Sequence, residues 1–324
     1  MLYTAGVGHP VRPLRCHAVF PAALPHTRVI SFDVEEHHRI EAAAGVAVPV
    51  GSQRAYGERM ERVTLDLLDR LAAANVLATF FVVGDIAETR PRLVRAIHAA
   101  GHEIGSHSWD HRRVHHFDPK SFRDDLLRSK DAIEQVTGER VTGFRAPTFS
   151  VTRETGWAID VLAECGFEYD SSIFPVRHDR YGIPDAPRGP FIAQGAEQEL
   201  LELPPLTYRV AGVNLPVAGG GYFRLFPPAI MRAGLQQAAR GEQNVAMLYF
   251  HPWEFDPEQP RLPLGRLSRW RTYVGVGKTT DRLERLLQGY SFRRAIDVAR
   301  DLRTETLPRY RVAEEVKAAG VALA

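Results

Sequence analysis

Along this chain, short runs of β-branched and aromatic residues alternate with longer stretches whose apolar positions recur at helical spacing. Residues 28–34 (R-V-I-S-F-D-V) read as a first strand, with Asp33 near its C-terminal end. Residues 59–74 place Val63, Leu67, Leu68 and Leu71 on one helical face. Residues 78–83 (A-T-F-F-V-V) are continuously apolar and stop at Gly84, the pattern of a strand buried on both faces. A helix over 92–100, ended by Gly101, and a short strand at 103–106 follow. The spacing predicts a helix over 121–136 with Phe122, Leu126, Leu127 and Ile133 inward and Gly138 as its stop. A strand at 141–145, a helix at 154–165 ended by Gly166, and a strand at 167–170 continue the series.

Such alternation implies parallel strands with helices outside, an α/β architecture. The regularity breaks between 174 and 228, where prolines cluster and Gly219, Gly220 and Gly221 stand together. Long ordered loops with short strands around 200–210 are expected there. A helix at 229–240, a strand at 245–250 leading to His251, helices at 282–287 and 293–302, and a short helix at 311–318 complete the reading. Residues 1–26, punctuated by Gly6, Gly8, Pro10 and Pro13, read as a loosely ordered extension, 27–302 as the folded domain and 303–324 as a C-terminal tail.

Composition narrows the function classes. With 324 residues, 44% hydrophobic and 25% charged, the chain is ordinary globular protein and not a disordered one. A net charge of +2 without a Lys/Arg run is too small to suggest a nucleic-acid binder, and no nucleic-acid partner is expected. Cys16 and Cys165 form no C-x-x-C pair and read as structural thiols, which a reducing compartment allows. No apolar run reaches the roughly 18–20 residues of a membrane span. Arg12 and Arg15 precede the apolar stretch 18–24, but it is short, holds Pro21 and lacks a small-residue cleavage site. A signal peptide is not expected, and a cytoplasmic location is.

Five segments carry chemistry: S-F-D-V-E at 31–35, H-S-W-D-H at 107–111, R-A-P-T-F at 145–149, Y-D-S-S at 169–172 and L-Y-F-H at 248–251. All fall at C-terminal ends of predicted strands, the face where α/β barrels place their active sites. His107 and His111, four residues apart, would lie on one face of a helical turn, where one cation can take both. A zinc-protease helix would read H-E-x-x-H, and position 108 is serine. Asp33 and Glu35 share one strand face, so one can hold a cation while the other takes a proton. Arg145 could orient a carboxylate, and His251 is placed as a general acid. His37, His38, His115 and His116 read as surface or supporting residues. Singly, each of these groups has an ordinary structural explanation; their coincidence favours metal-assisted amide hydrolysis. Two histidines and a carboxylate also suit Fe(II), so a non-haem iron oxygenase stands as a rival that needs neither Arg145 nor His251. G-V-G-K-T-T at 275–280 mimics a phosphate loop, but Thr272 stands where its first glycine belongs, so no nucleotide is expected.

Together the five segments resemble the polysaccharide deacetylases of carbohydrate esterase family 4, over residues 28–251. Further blocks resemble its bacterial branch associated with exosortase and exopolysaccharide gene clusters: Y-D-S-S-I-F-P at 169–175, R-H-D-R-Y-G-I-P-D at 177–185, G-G-G-Y-F-R-L-F-P at 219–227, H-P-W-E-F-D-P-E-Q-P at 251–260 and R-L-E-R-L-L at 282–287. The resemblance implies a distorted (β/α) barrel and one divalent metal ion, expected to be Zn2+, on Glu35, His107 and His111. It implies Asp33 as base, Arg145 orienting it, His251 as acid, Asp170 as the carboxylate tuning His251, and a backbone N–H near Thr148 as oxyanion donor. It also implies an N-acetylated poly- or oligosaccharide substrate in bacterial exopolysaccharide biosynthesis. Trp109, Phe149, Tyr222 and Trp253 are candidates for sugar stacking or for packing. The commonest first motif of the family, T-F-D-D, has adjacent aspartates; here the second carboxylate is one residue further on and is glutamate. The division of roles among Asp33, Glu35 and Glu36 therefore stays open. A related hydrolase of a small linear or cyclic amide, and a catalytically silent sugar-binding protein, stay open beside the deacetylase.

Overall fold

The structure is a computed structural model that describes residues 27–241 and 245–313. Strand β1 (Thr27–Val34) leads through two 3-10 turns (His37–Arg39 and Glu41–Ala43) into α1 (Val50–Ala73), β2 (Thr79–Val82), α2 (Gly84–Thr89), α3 (Pro91–Ala99) and β3 (Glu103–Ser106). Then come α4 (Pro119–Thr137), β4 (Gly143–Phe144), α5 (Ala158–Glu164) and β5 (Tyr169–Asp170). The second half holds β6 (Phe191–Gln194), β7 (Glu199–Glu202), the hairpin of β8 (Thr207–Val210) and β9 (Val213–Pro216), α6 (Gly220–Leu225), α7 (Pro228–Arg240) and β10 (Val245–Phe250). Helices α8 (Arg266–Tyr273), α9 (Thr279–Gly289) and α10 (Ala295–Asp301) precede β11 (Arg309–Arg311).

The main sheet has the order β10-β1-β2-β3-β4-β5-β7-β6-β11 and is parallel except where β6 runs against β7. It curls into a half-barrel with helices outside, the α/β architecture expected. Residues 203–206 carry the curl round: Leu203 N–H donates to Asp170 O on β5 (2.8 Å), and Leu206 N–H to Met247 O on β10 (2.9 Å). Gly219 then crosses β10 so tightly that a Cβ there would lie 1.6 Å from Tyr249 O, which only glycine avoids.

Alternation along β1 sorts its residues. Ile30, Phe32 and Val34 pack into the large core with Phe80, Leu248 and Phe250, while Val29 joins Phe81, Tyr169 and Met247 in a second cluster that α10 caps through Ala295 and Val298. Ser31 and Asp33 share the Val29 face, and a polar network replaces apolar packing at that end. Helix α4 starts at a capping box between Asp118 and Ser121 and stops at left-handed Gly138. Its inward face is rotated from the expected one, and Leu127 is 42% exposed. Asp125 and Ser129 are buried instead, because Asp125 Oδ2 accepts Trp109 N–H (2.9 Å) and Ser129 Oγ reaches Ser106 Oγ (2.8 Å).

Arg309–Arg311, within the stretch expected to trail off as a tail, pairs with β6 as the last strand. Most of the helix expected over 311–318, and the extension 1–26, lie outside the described residues. Among the described residues, no helix is long and apolar enough to cross a membrane. Gly275–Thr280 follows helix α8 and not a strand.

Candidate active site

The polar network begins with Arg145, fully buried at the end of β4. Its Nη1 donates to Asp33 Oδ1 (2.6 Å) and Ser31 Oγ (2.8 Å), its Nη2 to Ser171 Oγ (3.0 Å) and its Nε to Ser171 O (3.2 Å). A buried guanidinium survives only when its donors are used, and here they also fix one oxygen of Asp33.

Glu35, His107 and His111 stand beside Asp33, with one potential ligand atom from each lying within 4.8 Å of the others. The two histidines do not share a helical turn, contrary to expectation. Ser108 and His111 have positive φ (66° and 65°), and the loop folds back on itself. Gly84 N–H and Asp85 N–H pin it through Ser108 O and Trp109 O (both 2.9 Å). The imidazoles still converge, with centroids 5.1 Å apart. His107 donates from Nδ1 to Arg145 O (2.7 Å), which leaves its Nε2 lone pair for an ion. Burial pushes His107 down to about 4, so the imidazole is neutral at ordinary pH. Burial would raise Glu35, but the neighbouring His111, His251 and His107 outweigh it and hold the carboxyl well below its usual range. Glu35 Oε2 is buried with no donor other than the His111 Nε2 it contacts. An anionic oxygen and two imidazole nitrogens, with Glu35 and His107 buried and His111 half-buried, fit one divalent ion. Glu36 turns away to Arg39 (2.6 Å), so geometry leaves Asp33 and Glu35 as the two carboxylates of the site.

His251 follows β10 and points Nε2 between Asp33 Oδ2 and Glu35 Oε1, 3.8 Å from each. The expected partner Asp170 is elsewhere. Its Oδ1 accepts Ser171 N–H (2.8 Å) and the Ser172 hydroxyl, and it pairs with buried Glu202 behind Arg145. Burial pushes Asp170 up to about 6, and burial together with the Asp170 charge raises Glu202 well above the usual range. The carboxylate at His251 is Glu254, which sequence reasoning missed. Its Oε1 accepts Nδ1–H (2.7 Å) and the His251 backbone N–H (3.1 Å), and its Oε2 accepts Arg224 Nε–H (2.9 Å). Arg224 in turn donates to Thr272 O (2.6 Å) and Val274 O (3.0 Å). Burial lowers His251, but the Glu254 hydrogen bond and the charges of Glu35, Glu254 and Asp33 overcome it and push the imidazole up to about 9. The available signal was the spacing H-P-W-E, a histidine and a glutamate closing one 3-10 turn.

Asp33, His251 and the triad line one cavity of about 160 Å³. Its walls include Thr148, Phe149 and Trp253 from the expected set, and Tyr181 and Tyr249, which were not foreseen. Thr148 and Phe149 hold positive φ (57° and 51°), a strained turn that bends the chain around the cavity. Trp253 stacks on His251 with centroids 5.6 Å apart. Trp109 does not line the cavity; it packs against α4 beneath Arg128, 3.6 Å from the ring centroid. Tyr222 stands behind Tyr181, to which it hydrogen-bonds, and faces a different cavity.

Residues 55–169 match the polysaccharide deacetylase family. Over that third of its length the chain is similar to polysaccharide deacetylases. Residues 171–300 match a domain of unknown function, DUF3473. Over 107 residues the chain is 33% identical to the peptidoglycan-N-acetylglucosamine deacetylase of Listeria monocytogenes, covering 30% of this chain and 23% of that protein. Over 100 residues it is 31% identical to a chitooligosaccharide deacetylase from a Bradyrhizobium species, covering 31% and 43%. The chain therefore matches less than half the length of these curated relatives. A Mycobacterium smegmatis structure assigned to the polysaccharide deacetylases shares the fold at TM-score 0.59 and 23% identity, over 90% of this chain and 95% of that one. Puue allantoinase does so at TM-score 0.54 and 18% identity, over 91% and 97%. The deacetylase match contains His107, His111 and Arg145; the DUF3473 match contains Arg224, His251 and Glu254; Asp33 and Glu35 precede both. One continuous sheet joins the two matched regions, which meet at β5.

Proposed function

We propose that this protein is a metal-dependent N-deacetylase of an acetylated poly- or oligosaccharide, in the assembly of a bacterial exopolysaccharide, with zinc as its ion. The observation that carries the reading is the joint presence, in one small cavity, of the Glu35–His107–His111 triad, Asp33 held by Arg145, and His251 held by Glu254. When bound, a divalent ion would supply Lewis acidity, lowering the pKa of water towards about 7.

The side chains do the rest. Asp33, with Oδ1 occupied by Arg145, keeps Oδ2 free to accept a proton from the attacking water. As that oxygen bonds to the acetamide carbon, negative charge builds on the acyl oxygen, and a backbone N–H near Thr148 is the donor the family resemblance assigns to it. His251 donates Nδ1–H to Glu254 and carries a second proton on Nε2 for the departing nitrogen. Protonation there lets the C–N bond break, giving acetate and a free amine. Each proton-transfer role is worth roughly 10²–10⁴ in rate. Phe149 and Trp253 offer apolar faces to a sugar ring. The exopolysaccharide assignment is supported by the 219–227 and 251–260 blocks, which supply Arg224 and Glu254.

A second reading has its own observation. A cavity of about 160 Å³ is below the roughly 300–1,000 Å³ of most ligand pockets and suits a small linear or cyclic amide. One experiment separates the two. Purified protein is assayed for metal content, for acetate released from N-acetylglucosamine oligomers and for ring opening of cyclic amides, with and without chelator and added zinc. Acetate release abolished by chelation and restored by zinc supports the deacetylase; ring opening without acetate release replaces it.

A further inference from the structure

A second cavity lies among α6, α7 and α9, within the region that matches the domain of unknown function. It measures about 260 Å³, larger than the cavity that holds Asp33 and His251. Val217, Met231, Leu235 and Leu286 form its floor, each buried, and Phe226 and Tyr290 flank it. The charged groups on it are three arginines, Arg232, Arg282 and Arg285, and no carboxylate lines it.

The three arginines are not equivalent. Arg282 Nη1 is consumed by backbone, donating to the carbonyls of Phe223, Arg224 (3.2 Å) and Phe226 (3.0 Å), and so holds α6 in place. Arg232 and Arg285 are exposed at the rim, and among the described residues neither meets a carboxylate. An apolar hollow whose mouth carries unpaired guanidinium groups is complementary to a hydrocarbon chain with an anionic end. The hollow removes the chain from water, and planar forked donors match a phosphate or carboxylate.

We propose that this cavity binds a single-chain anionic amphiphile, an alkyl or isoprenyl chain ending in a phosphate or carboxylate. The chain lies against Met231, Leu235 and Leu286, and the head meets Arg232 and Arg285. This inference does not depend on the deacetylase reading, because it concerns binding alone. It does place an occupant against α6, the short helix whose Tyr222 and Phe223 line this cavity and whose Arg224 holds Glu254 beneath His251.

The test is calorimetric titration of the full chain with dodecyl phosphate kept below its micelle-forming concentration, beside dodecyl maltoside, inorganic phosphate and anionic phospholipid vesicles. The expected result is one site for dodecyl phosphate, at least tenfold tighter than for the maltoside, with no heat from phosphate. The double variant Arg232→Gln/Arg285→Gln, which alters only exposed side chains, should weaken binding at least tenfold with an unchanged melting temperature. Leu235→Trp, which fills the floor, should abolish it. Absence of binding, equal binding of the maltoside, or affinity unchanged in the rim variant overturns the proposal. Binding to vesicles without binding to the monomeric amphiphile also overturns it, in favour of attachment to a lipid surface.

Discussion

Glu254 Oε1 lies 2.7 Å from Nδ1 of His251, and the same carboxylate accepts a hydrogen bond from the buried guanidinium of Arg224. His251 is thereby fixed with Nε2 towards Asp33 and Glu35. In metal-free protein its imidazole should titrate at about 9 in an NMR experiment, and adding a divalent ion should lower that midpoint. Because the folded value is raised above 6.5, the protonated imidazole contributes stability that is complete below about 6.5 and lost as pH rises through about 9. Glu254→Gln should bring the midpoint down and cut turnover roughly 10²-fold or more, with metal content unchanged. A Glu254→Gln enzyme with normal turnover would remove Glu254 from the mechanism.

Arg145→Ala leaves the Asp33 carboxylate buried without its cation. Losing one partner of a buried pair costs roughly 3–5 kcal/mol, which urea denaturation would read as a lower midpoint. Adding Asp33→Asn should recover part of that loss, since the two residues interact directly. Strict additivity of the two losses would contradict the pairing.

The protein should bind one equivalent of a divalent ion, and His111→Ala or Glu35→Gln should abolish that binding in a titration. At ion concentrations a hundred times Kd, wild-type stability should rise by about 2.7 kcal/mol. A second equivalent, or binding unaffected by either substitution, would place the ion elsewhere.

Asp170 and Glu202 make a pH prediction of opposite origin from His251. Burial raises the folded pKa of Asp170 from 3.8 to about 6, so its contribution is present below about 3.8 and lost as pH rises through about 6. Urea stability measured across that window should fall further in wild type than in Asp170→Asn. The His251 titration should be the same in both proteins, because Asp170 does not contact that ring.

The two tryptophans should separate in kinetics. Trp253→Leu removes a wall of the cavity and should raise KM severalfold. Trp109→Phe alters packing against α4 and should leave KM unchanged while lowering thermal stability.

Strand ends were legible in the sequence because β1 and β2 are rich in β-branched and aromatic residues and β10 is a continuous apolar run, and a buried parallel strand has few other solutions. The histidine pair was legible through its spacing, although the geometry behind it was not. Positive φ at Ser108 and His111 is set by amides of α2, which no local pattern around residue 107 encodes. Leu127 misled because apolarity was weighed while the needs of the Ser106–Trp109 loop, met by Asp125 and Ser129, were invisible. The resemblance points to Asp170 and passes over Glu254, because which carboxylate meets an imidazole depends on the fold of the 3-10 turn at 252–255. The pairing of β11 with β6 joins segments over a hundred residues apart and has no local signature at all.

The placement of β10 beside β1 bears on how the protein is made. Ser31 Oγ donates to Leu248 O across 217 residues of sequence. A ribosome adding 5–20 residues per second needs roughly ten to forty seconds to cover that interval. Until it does, β1 and the Glu35 that follows it have been synthesised without the strand that pairs with the outer edge of β1, and neither His251 nor Glu254 exists. A nascent chain stopped between residues 145 and 245 would carry the three triad residues and the arginine that holds Asp33, and would still lack the acid, so synthesis itself keeps the site inert until residues 251–254 emerge.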